Sequence, residues 1–249
     1  MFGASGEIIP EPKQWNVAFS FRGLKADDHY NGTAYQHVRK QNNTYVINRQ
    51  RLYDLSLGYT ATRRLSFSMG IPYVDSSWAV PTPFATSGPR EEQNGRGIGD
   101  LTVSGRFWLA DPEKHKTGNF SVGLGCKAPT GESDQDEHYP DLFTGTNSTR
   151  KAVDMSVQPG DGGWGITLEL QGYKKVGRAL FYGYGNYLSN PRDTNTTDSI
   201  IVGLGFGGNP AFQDLLKNSV TDSYVLRAGS VIQIHGGLSG SIGLRMEGL

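Results

Sequence analysis

Residues 65–73 read LSFSMGIPY, a run in which large apolar residues alternate with small or polar ones. This period of two is that of a β-strand, whose successive side chains point to opposite faces of a sheet. A tilted strand needs about 9–11 residues to cross a bilayer, whereas an average globular strand has about 5–6. The run therefore predicts a strand of membrane-spanning length with one apolar face.

The same alternation recurs along the whole chain, and helical periodicity is confined to a short amphipathic turn at residues 210–218. In the seventh segment the pattern is weaker, with Leu180, Tyr182 and Tyr184 on one face and Phe181 and Tyr187 on the other. The eight further segments are 15–22, 53–59, 101–109, 119–127, 164–171, 178–188, 222–234 and 238–247.

The connections between these segments alternate between short and long. The long ones, rich in glycine, proline and polar residues, span 25–50, 76–96, 129–162 and 189–221. Short periplasmic turns and long extracellular loops are typical of outer-membrane barrels. Lipid cannot pair backbone N–H and C=O groups, so a spanning sheet must close on itself. The sequence thus predicts an all-β fold, a single antiparallel up-and-down transmembrane β-barrel over residues 1–249, with 1–14 as a periplasmic N-terminal segment.

Composition narrows the function classes. Lys and Arg together number 24, as do Asp and Glu, a balance that disfavours nucleic-acid binding. The single cysteine excludes a disulfide framework and a multi-cysteine metal site. The first residues resemble no signal peptide, and no stretch has the composition of a membrane helix. We expect no enzymatic activity, no metal and no cofactor.

The strand count is odd, while bacterial single-chain barrels normally have an even number. The ninth strand would also end at the C-terminus without a returning partner. We therefore expect about nine strands here, of about 10–12 in a complete barrel, with the chain truncated at its C-terminus. Ser199–Gly207 is the candidate for a missed strand, with an apolar part of the fourth loop as the alternative.

Alternation also assigns charged side chains to the polar, lumen-facing side of the strands. They either form a selectivity lining or pair with one another for structural reasons. Aromatic candidates for contact with a ligand in the lumen or at the rim are Trp108, Phe181 and Tyr187. The charged candidates are Arg22, Asp54, Asp100, Arg106, Lys127, Glu169, Arg227, Arg245 and Glu247.

Five stretches resemble one bacterial family. They read GIGDLTVSGRFWL at 97–109, GLGCKAPTG at 123–131, SVQPGDGGWG at 156–165, NPRD at 190–193 and GLRMEG at 243–248. In this order and spacing they are similar to the MetA phenol-degradation family of transporter-like outer-membrane barrels, over roughly residues 50–249. The resemblance implies a barrel of about a dozen strands in the outer membrane of a Gram-negative bacterium. It also implies porin-like transport, with uptake of small hydrophobic or aromatic compounds.

Two other functions remain open on the residues alone. One is a structural or adhesion-type outer-membrane barrel with a plugged lumen and functional surface loops; the other is a soluble, glycine-rich β-sandwich. For the barrel, the expected partners are outer-membrane lipid, lipopolysaccharide and a small hydrophobic or aromatic ligand, without nucleic acid. Neither the ligand nor the oligomeric state follows from the sequence.

Overall fold

The computed structural model describes residues 11–203, 205–235 and 237–248, so most of the predicted segment 1–14 lies outside the described residues. Helix is scarce, and no helix in these ranges has the length and apolar character that a bilayer crossing requires. The helices are α1 (His37–Gln41), α2 (Ile200–Gly203) and two 3-10 helices, Met155–Val157 and Pro210–Leu215. The second 3-10 helix lies within the predicted amphipathic turn.

The remaining elements are strands, and every one of the nine predicted segments contains one. In chain order the strands are β1 (Gln14–Ala26), β2 (Tyr30–Asn31), β3 (Ala34–Tyr35), β4 (Ile47–Thr60), β5 (Leu65–Pro81), β6 (Arg90–Ile98), β7 (Leu101–Trp108), β8 (Gly118–Ala128), β9 (Asp136–Tyr139), β10 (Thr149–Ala152), β11 (Gly165–Val176), β12 (Ala179–Ser189), β13 (Thr194–Asp198), β14 (Lys217–Ser219), β15 (Ser223–His235) and β16 (Leu238–Gly248).

Ten strands form one antiparallel sheet in the order β1-β4-β5-β7-β8-β11-β12-β15-β16, with β6 attached to β5. Consecutive strands meet through short turns at one end of the sheet and long connections at the other, as the sequence predicts. At the short-turn end, Gly177 has φ 58° in the tight turn between β11 and β12. Glycine suits that position because a side chain rarely adopts a positive φ.

The prediction of a continuous loop at 76–96 was wrong. β5 continues to Pro81, and the chain returns as β6, which pairs with the upper part of β5. After Gly99 and Asp100, β7 resumes the pairing with the lower part of β5. The sequence pattern concealed β6 because its outer positions, such as Asn94 and Arg96, are polar rather than apolar.

The other long connections also carry structure. The first contains the β2–β3 hairpin and α1, the third the β9–β10 hairpin, and the fourth the β13–β14 hairpin, α2 and a 3-10 helix. Ser199–Gly207 is not the missed strand, because Ile200–Gly203 is helical; Leu204 lies outside the described residues. Hydrogen bonds within these hairpins pair backbone N–H and C=O groups that would have no protein partner in an unstructured loop.

The strand register gives the sheet two chemically distinct faces. On β11, Thr167, Glu169 and Gln171 are buried, whereas the intervening Leu168 and Leu170 are exposed. Directly paired residues of an antiparallel sheet share a face, so this assignment extends to every strand. We call the face of Glu169 the inner face and the face of Leu168 the outer face.

The sheet curls into a half-barrel with its apolar face outward. β1 and β16 are not paired with each other, yet Arg22 on β1 lies 3.8 Å from Glu247 on β16. Within residues 11–203, 205–235 and 237–248, no second layer covers the outer face of β1, where Trp15, Val17 and Phe19 are about 70% exposed. This exposed apolar surface argues against the soluble sandwich, in which a second sheet would bury it.

The small hydrophobic core of the protein lies at the long-connection end, which we call the rim. Val80 of β5 packs there with Tyr139 and Leu142 from the third long connection, and Val46 and Ile200 join them from the first and fourth. Burial raises the pKa of Tyr139 to about 12. The long connections thus pack on one another and on β5.

Candidate functional site: the inner wall and its rim

An ion pair crosses the middle of the inner face of the ten-stranded sheet, which we call the inner wall. Arg106 of β7 donates from Nη2 to Oε2 of Glu169 on β11 at 2.5 Å, and the Ser104 hydroxyl donates to Oε1 at 2.9 Å. Gly123 of β8 lies between the two charged residues in the register. A Cβ on Gly123 would lie 3.1 Å from the Cβ of Glu169, so the glycine leaves room for the pair to bridge one strand.

A second charged cluster lies where the wall meets the rim. Asp100 accepts hydrogen bonds from the backbone N–H of Gly131 at 2.9 Å and of Asp161 at 3.1 Å. Lys127 lies 3.8 Å from the Asp100 carboxylate and also pairs with Asp161. The Asp100 and Lys127 side chains are 9% and 6% exposed. Asp100 thus holds both ends of the third long connection, and Lys127 holds the end at Asp161.

The other predicted lining charges also lie on the inner face. Glu247 pairs with Arg245 on its own strand and with Arg22 across the sheet edges. The guanidinium of Arg227 is 5.9 Å from the ring centre of Tyr184. Asp54 accepts a long hydrogen bond of 3.4 Å from the Ser20 hydroxyl. The register thus places every predicted lining charge inward except Asp100, which lies between β6 and β7; their part in selectivity stays a prediction.

Trp108 is the one aromatic ligand candidate that faces inward. It lies toward the short-turn end, where its ring packs edge-on against Tyr173 with centroids 5.6 Å apart. The Tyr173 hydroxyl in turn donates to the carbonyl of His115 at 3.0 Å. Both rings are 6% exposed, so this end of the inner wall is lined by tightly packed aromatic groups.

Phe181 and Tyr187 lie on the outer face rather than in the lumen, but Tyr187 is at the rim, which is one of the two predicted places. Tyr187 is paired with Leu168, and Phe181 lies six residues away on the same face, so both point outward. Tyr187 is at the rim end, where its hydroxyl donates to Asp222 at 2.5 Å. The physical reason is that β12 presents an apolar residue, Leu180, to the inside, which breaks the polar-inward rule on which the interpretation relied.

The inner aromatic residues of β12 are instead Tyr182 and Tyr184. The Tyr182 hydroxyl lies 2.6 Å and 2.8 Å from the positions that a Cβ on Gly229 and on Gly243 would occupy. The tyrosine therefore covers two glycines of the neighbouring strands. The sequence signal for this arrangement is the register: both glycines share an inward row with Tyr182.

At the rim, the third long connection folds inward over the wall; we call residues 129–164 the rim loop. The Gln50 side chain donates to the carbonyl of Ser156 at 3.0 Å, and Asn48 donates to the Ser156 hydroxyl at 2.8 Å. The backbone N–H of Asp154 donates to Gln93 at 2.8 Å. These partners are inward-facing residues of β4 and β6, so the 3-10 helix Met155–Val157 narrows the mouth of the half-barrel.

Carboxylates of the rim loop stabilise its own turns. Asp141 accepts N–H groups of Thr144 at 2.8 Å and Phe143 at 3.0 Å, and the Thr144 contact is the main cause of its lowered pKa. Asp154 accepts the N–H of Ser156 at 2.9 Å, but burial dominates there and raises its pKa. The loop is thus acidic without being a loose, solvated segment.

A cavity of about 310 Å³ opens between the rim loop, the fourth long connection and the inner face of β5. Pro72, Val74 and Met155 supply its apolar lining. Asn218 also lines it and is 2% exposed. Within the described residues, neither the amide nitrogen nor the amide oxygen of Asn218 has a hydrogen-bond partner.

Comparisons with known proteins agree with this architecture. A crystal structure of the COG4313 outer membrane channel from Pseudomonas putida F1 superimposes with a TM-score of 0.57 at 14% sequence identity. The match covers 97% of this chain and 75% of that one. At this identity the likeness establishes the fold, that of an outer-membrane channel. A comparison with curated proteins gave no match.

The family assignment comes from the sequence itself. A family model described as "Putative MetA-pathway of phenol degradation" matches residues 26–173, more than half of the chain. This range covers the wall from the end of β1 to β11, including Arg106, Gly123 and Glu169, together with the rim loop. The chain therefore belongs to the MetA phenol-degradation family.

Proposed function

We propose that this protein is an outer-membrane channel that admits small hydrophobic or aromatic compounds into the cell. The observation that carries the proposal is the inward fold of the rim loop over a polar inner wall whose central charges, Arg106 and Glu169, pair with each other. Short turns then face the periplasm and the rim faces outward, as in other outer-membrane barrels. A solute entering from outside meets the rim cavity first and the wall afterwards.

The paired charges of the wall support passage of uncharged solutes. Glu169 is satisfied by Arg106 and Ser104, so it leaves no isolated charge to attract or repel an ion. A neutral solute therefore meets no large electrostatic barrier, whereas an ion must give up hydration in a narrow polar space.

The rim cavity supports a ligand with an apolar body and a polar group. Its volume lies at the lower end of the range for small-molecule sites, about 300–1,000 Å³. The Asn218 amide can donate and accept a hydrogen bond beside the apolar side chains of Val74 and Met155. A phenolic ring fits this combination because its hydroxyl also donates and accepts.

Flux through the reconstituted protein tests the proposal. Proteoliposomes should take up radiolabelled phenol faster than arabinose, relative to protein-free liposomes. Asn218→Val removes the amide at similar volume and should lower the phenol flux at limiting concentration about tenfold, the effect of one lost hydrogen bond to a ligand. The matched control is Gln213→Ala, an exposed position of the same connection. Equal uptake of phenol with and without protein contradicts the channel.

The second candidate function is an adhesion-type barrel with a closed lumen. The packing of Met155–Val157 on β4 and β6 favours it, because the same contacts that narrow the mouth can close it. Phenol uptake by proteoliposomes separates the two functions. A channel admits phenol as the wild-type protein, whereas a plugged barrel admits it only after the rim loop is released by Asn48→Ala and Gln50→Ala.

A further inference from the structure

The outer face changes character at one level across four neighbouring strands near the rim. Phe21, Tyr53, Tyr73 and Ile98 form one row of directly paired residues on β1, β4, β5 and β6. One step toward the rim, the corresponding row contains Arg51, Asp75 and Arg96. The next row adds Lys25 and Arg49. Aromatic rings thus end where cationic side chains begin.

These cations differ in how they are paired. Arg51 lies 3.0 Å from Asp75, and Lys25 lies 3.0 Å from Asp27, so both are locally neutralised. Within the part of the chain that the structure describes, the guanidinium groups of Arg49 and Arg96 have no partner, and both residues are exposed. We call Arg49, Arg51 and Arg96 the outer arginine patch.

A groove of about 460 Å³ joins Arg96 of the outer arginine patch to the aromatic row below it. Phe19, Tyr53 and Tyr73 line its apolar part, and Asp75 and Arg96 line its polar end. An aromatic belt marks the depth at which the headgroups of a bilayer begin. The groove therefore lies where an acyl chain meets a phosphate-bearing headgroup.

Carboxylates beside the patch are already occupied. Glu137 accepts the backbone N–H of Asn94 at 3.1 Å, and Glu132 accepts the side chain of Gln135 at 2.8 Å. Asp75 is bound by Arg51. These carboxylates make the local electrostatic potential less positive. None of them contacts the guanidinium groups of Arg49 or Arg96, which remain open to an added anion.

We propose that the outer arginine patch binds a phosphate group of lipid A, with an acyl chain of the same molecule in the groove over Phe19, Tyr53 and Tyr73. Guanidinium groups suit this role because they bind phosphate with two parallel hydrogen bonds. The inference requires the outer face to meet lipid and the rim to face outward, but not that the barrel conducts. We therefore expect lipid A to bind even if the protein does not transport the proposed solutes.

Native mass spectrometry of the detergent-solubilised protein tests this site with diphosphoryl lipid A as the probe. The affinity of the variant Arg49→Gln/Arg96→Gln for lipid A should be lower by about tenfold or more, because two charge-assisted contacts are lost. The matched control, Arg63→Gln/Arg178→Gln, removes the same charge at the short-turn end and should bind as the wild type does. Equal binding by wild type and the patch variant, or an equal loss in both variants, overturns the proposal.

Two further arms fix the chemistry. Arg49→Lys/Arg96→Lys keeps the charge, so it should retain more lipid A than the glutamine variant, and heat-modifiable gel migration verifies that every variant is folded. Phosphatidylglycerol supplies a phosphate without the glucosamine backbone and should compete at least tenfold less well than unlabelled lipid A. If phosphatidylglycerol competes as well as unlabelled lipid A at the same concentration, the assignment of the site to lipid A is overturned.

Discussion

Two regions of this protein are stabilised in different ways. One is the part of the inner wall on β7, β8 and β11, and the other is the rim at β6 and the rim loop. In the wall, each strand is held by its neighbours' backbone, and side chains such as Arg106 and Glu169 need only a partner one or two strands away. In the rim, contacts join residues about a hundred positions apart, such as Gln50 and Ser156. The wall is stabilised by regular backbone hydrogen bonds between strands, whereas the rim depends on individual side-chain contacts.

The largest expected effect concerns the wall. Glu169→Leu leaves Arg106 on the inner face without its carboxylate and should lower the free energy of unfolding by about 3 kcal/mol. Urea unfolding in lipid vesicles, followed by tryptophan fluorescence, measures the change. A comparable loss for Glu113→Leu would contradict this reasoning, because Glu113 pairs with Arg63 at an exposed site where such pairs contribute at most about 1 kcal/mol.

A smaller effect is expected where wall and rim meet. Asp100→Asn keeps the size of the side chain but weakens the contacts to the N–H groups of Gly131 and Asp161, at a cost of about 2 kcal/mol. We expect faster proteolysis within the rim loop and an unchanged sheet by circular dichroism. Asp54→Asn serves as the control, since Asp54 makes one long hydrogen bond. Proteolysis at the wild-type rate would refute the anchoring role.

Within the rim itself, the double variant Asn48→Ala/Gln50→Ala removes both side chains that hold Ser156. Each hydrogen bond contributes about 1 kcal/mol, so the 3-10 helix should leave the wall more often while the sheet keeps its stability. Hydrogen exchange at residues 155–157 should accelerate about tenfold or more, and single-channel conductance should rise. Unchanged exchange would mean that the hydrogen bond from the Asp154 N–H to Gln93 suffices to hold the loop.

The smallest effect is the pH dependence of the rim. Burial raises the pKa of Asp154 above its ordinary 3.8, so the folded loop binds a proton more readily than the opened loop does. Its contribution to loop stability is therefore greatest below the unfolded pKa and is lost as pH rises through the folded pKa. Protection of residues 155–158 should fall as pH rises above about 4. Asp154→Asn should abolish this dependence, and a dependence that persists in that variant contradicts the assignment.

How far the sequence predicts this structure follows from the same difference between wall and rim. Alternation predicts the strand at 65–73 because one face meets an apolar environment, and it places charges such as Arg106 inward for the same reason. It misses the continuation of this strand to Pro81. It fails for β6, whose outer positions lie above the apolar belt and are polar. It also fails for Phe181, because on β12 the apolar Leu180 points inward and Phe181 therefore points outward.

Two site residues at the rim could not be predicted from the sequence pattern. Asn218 and Ser156 lie in long connections, where no period relates a residue to its partner. Their positions depend on which segments pack against β5, and local propensity says nothing about that. Gly123 was within reach in principle, since strand register places it between Arg106 and Glu169 once neighbouring strands are aligned.

The side of β6 that faces away from β5 has a consequence for how neighbouring molecules meet. The backbone N–H groups of Asn94 and Arg96 on that side are taken by Glu137 and Gln135 of the rim loop. A strand whose donors are already occupied offers no template for strand addition by another chain. At Asn94 and Arg96, contact of another chain with β6 is thereby limited to side chains, and amyloid-like growth from this part of the edge is blocked.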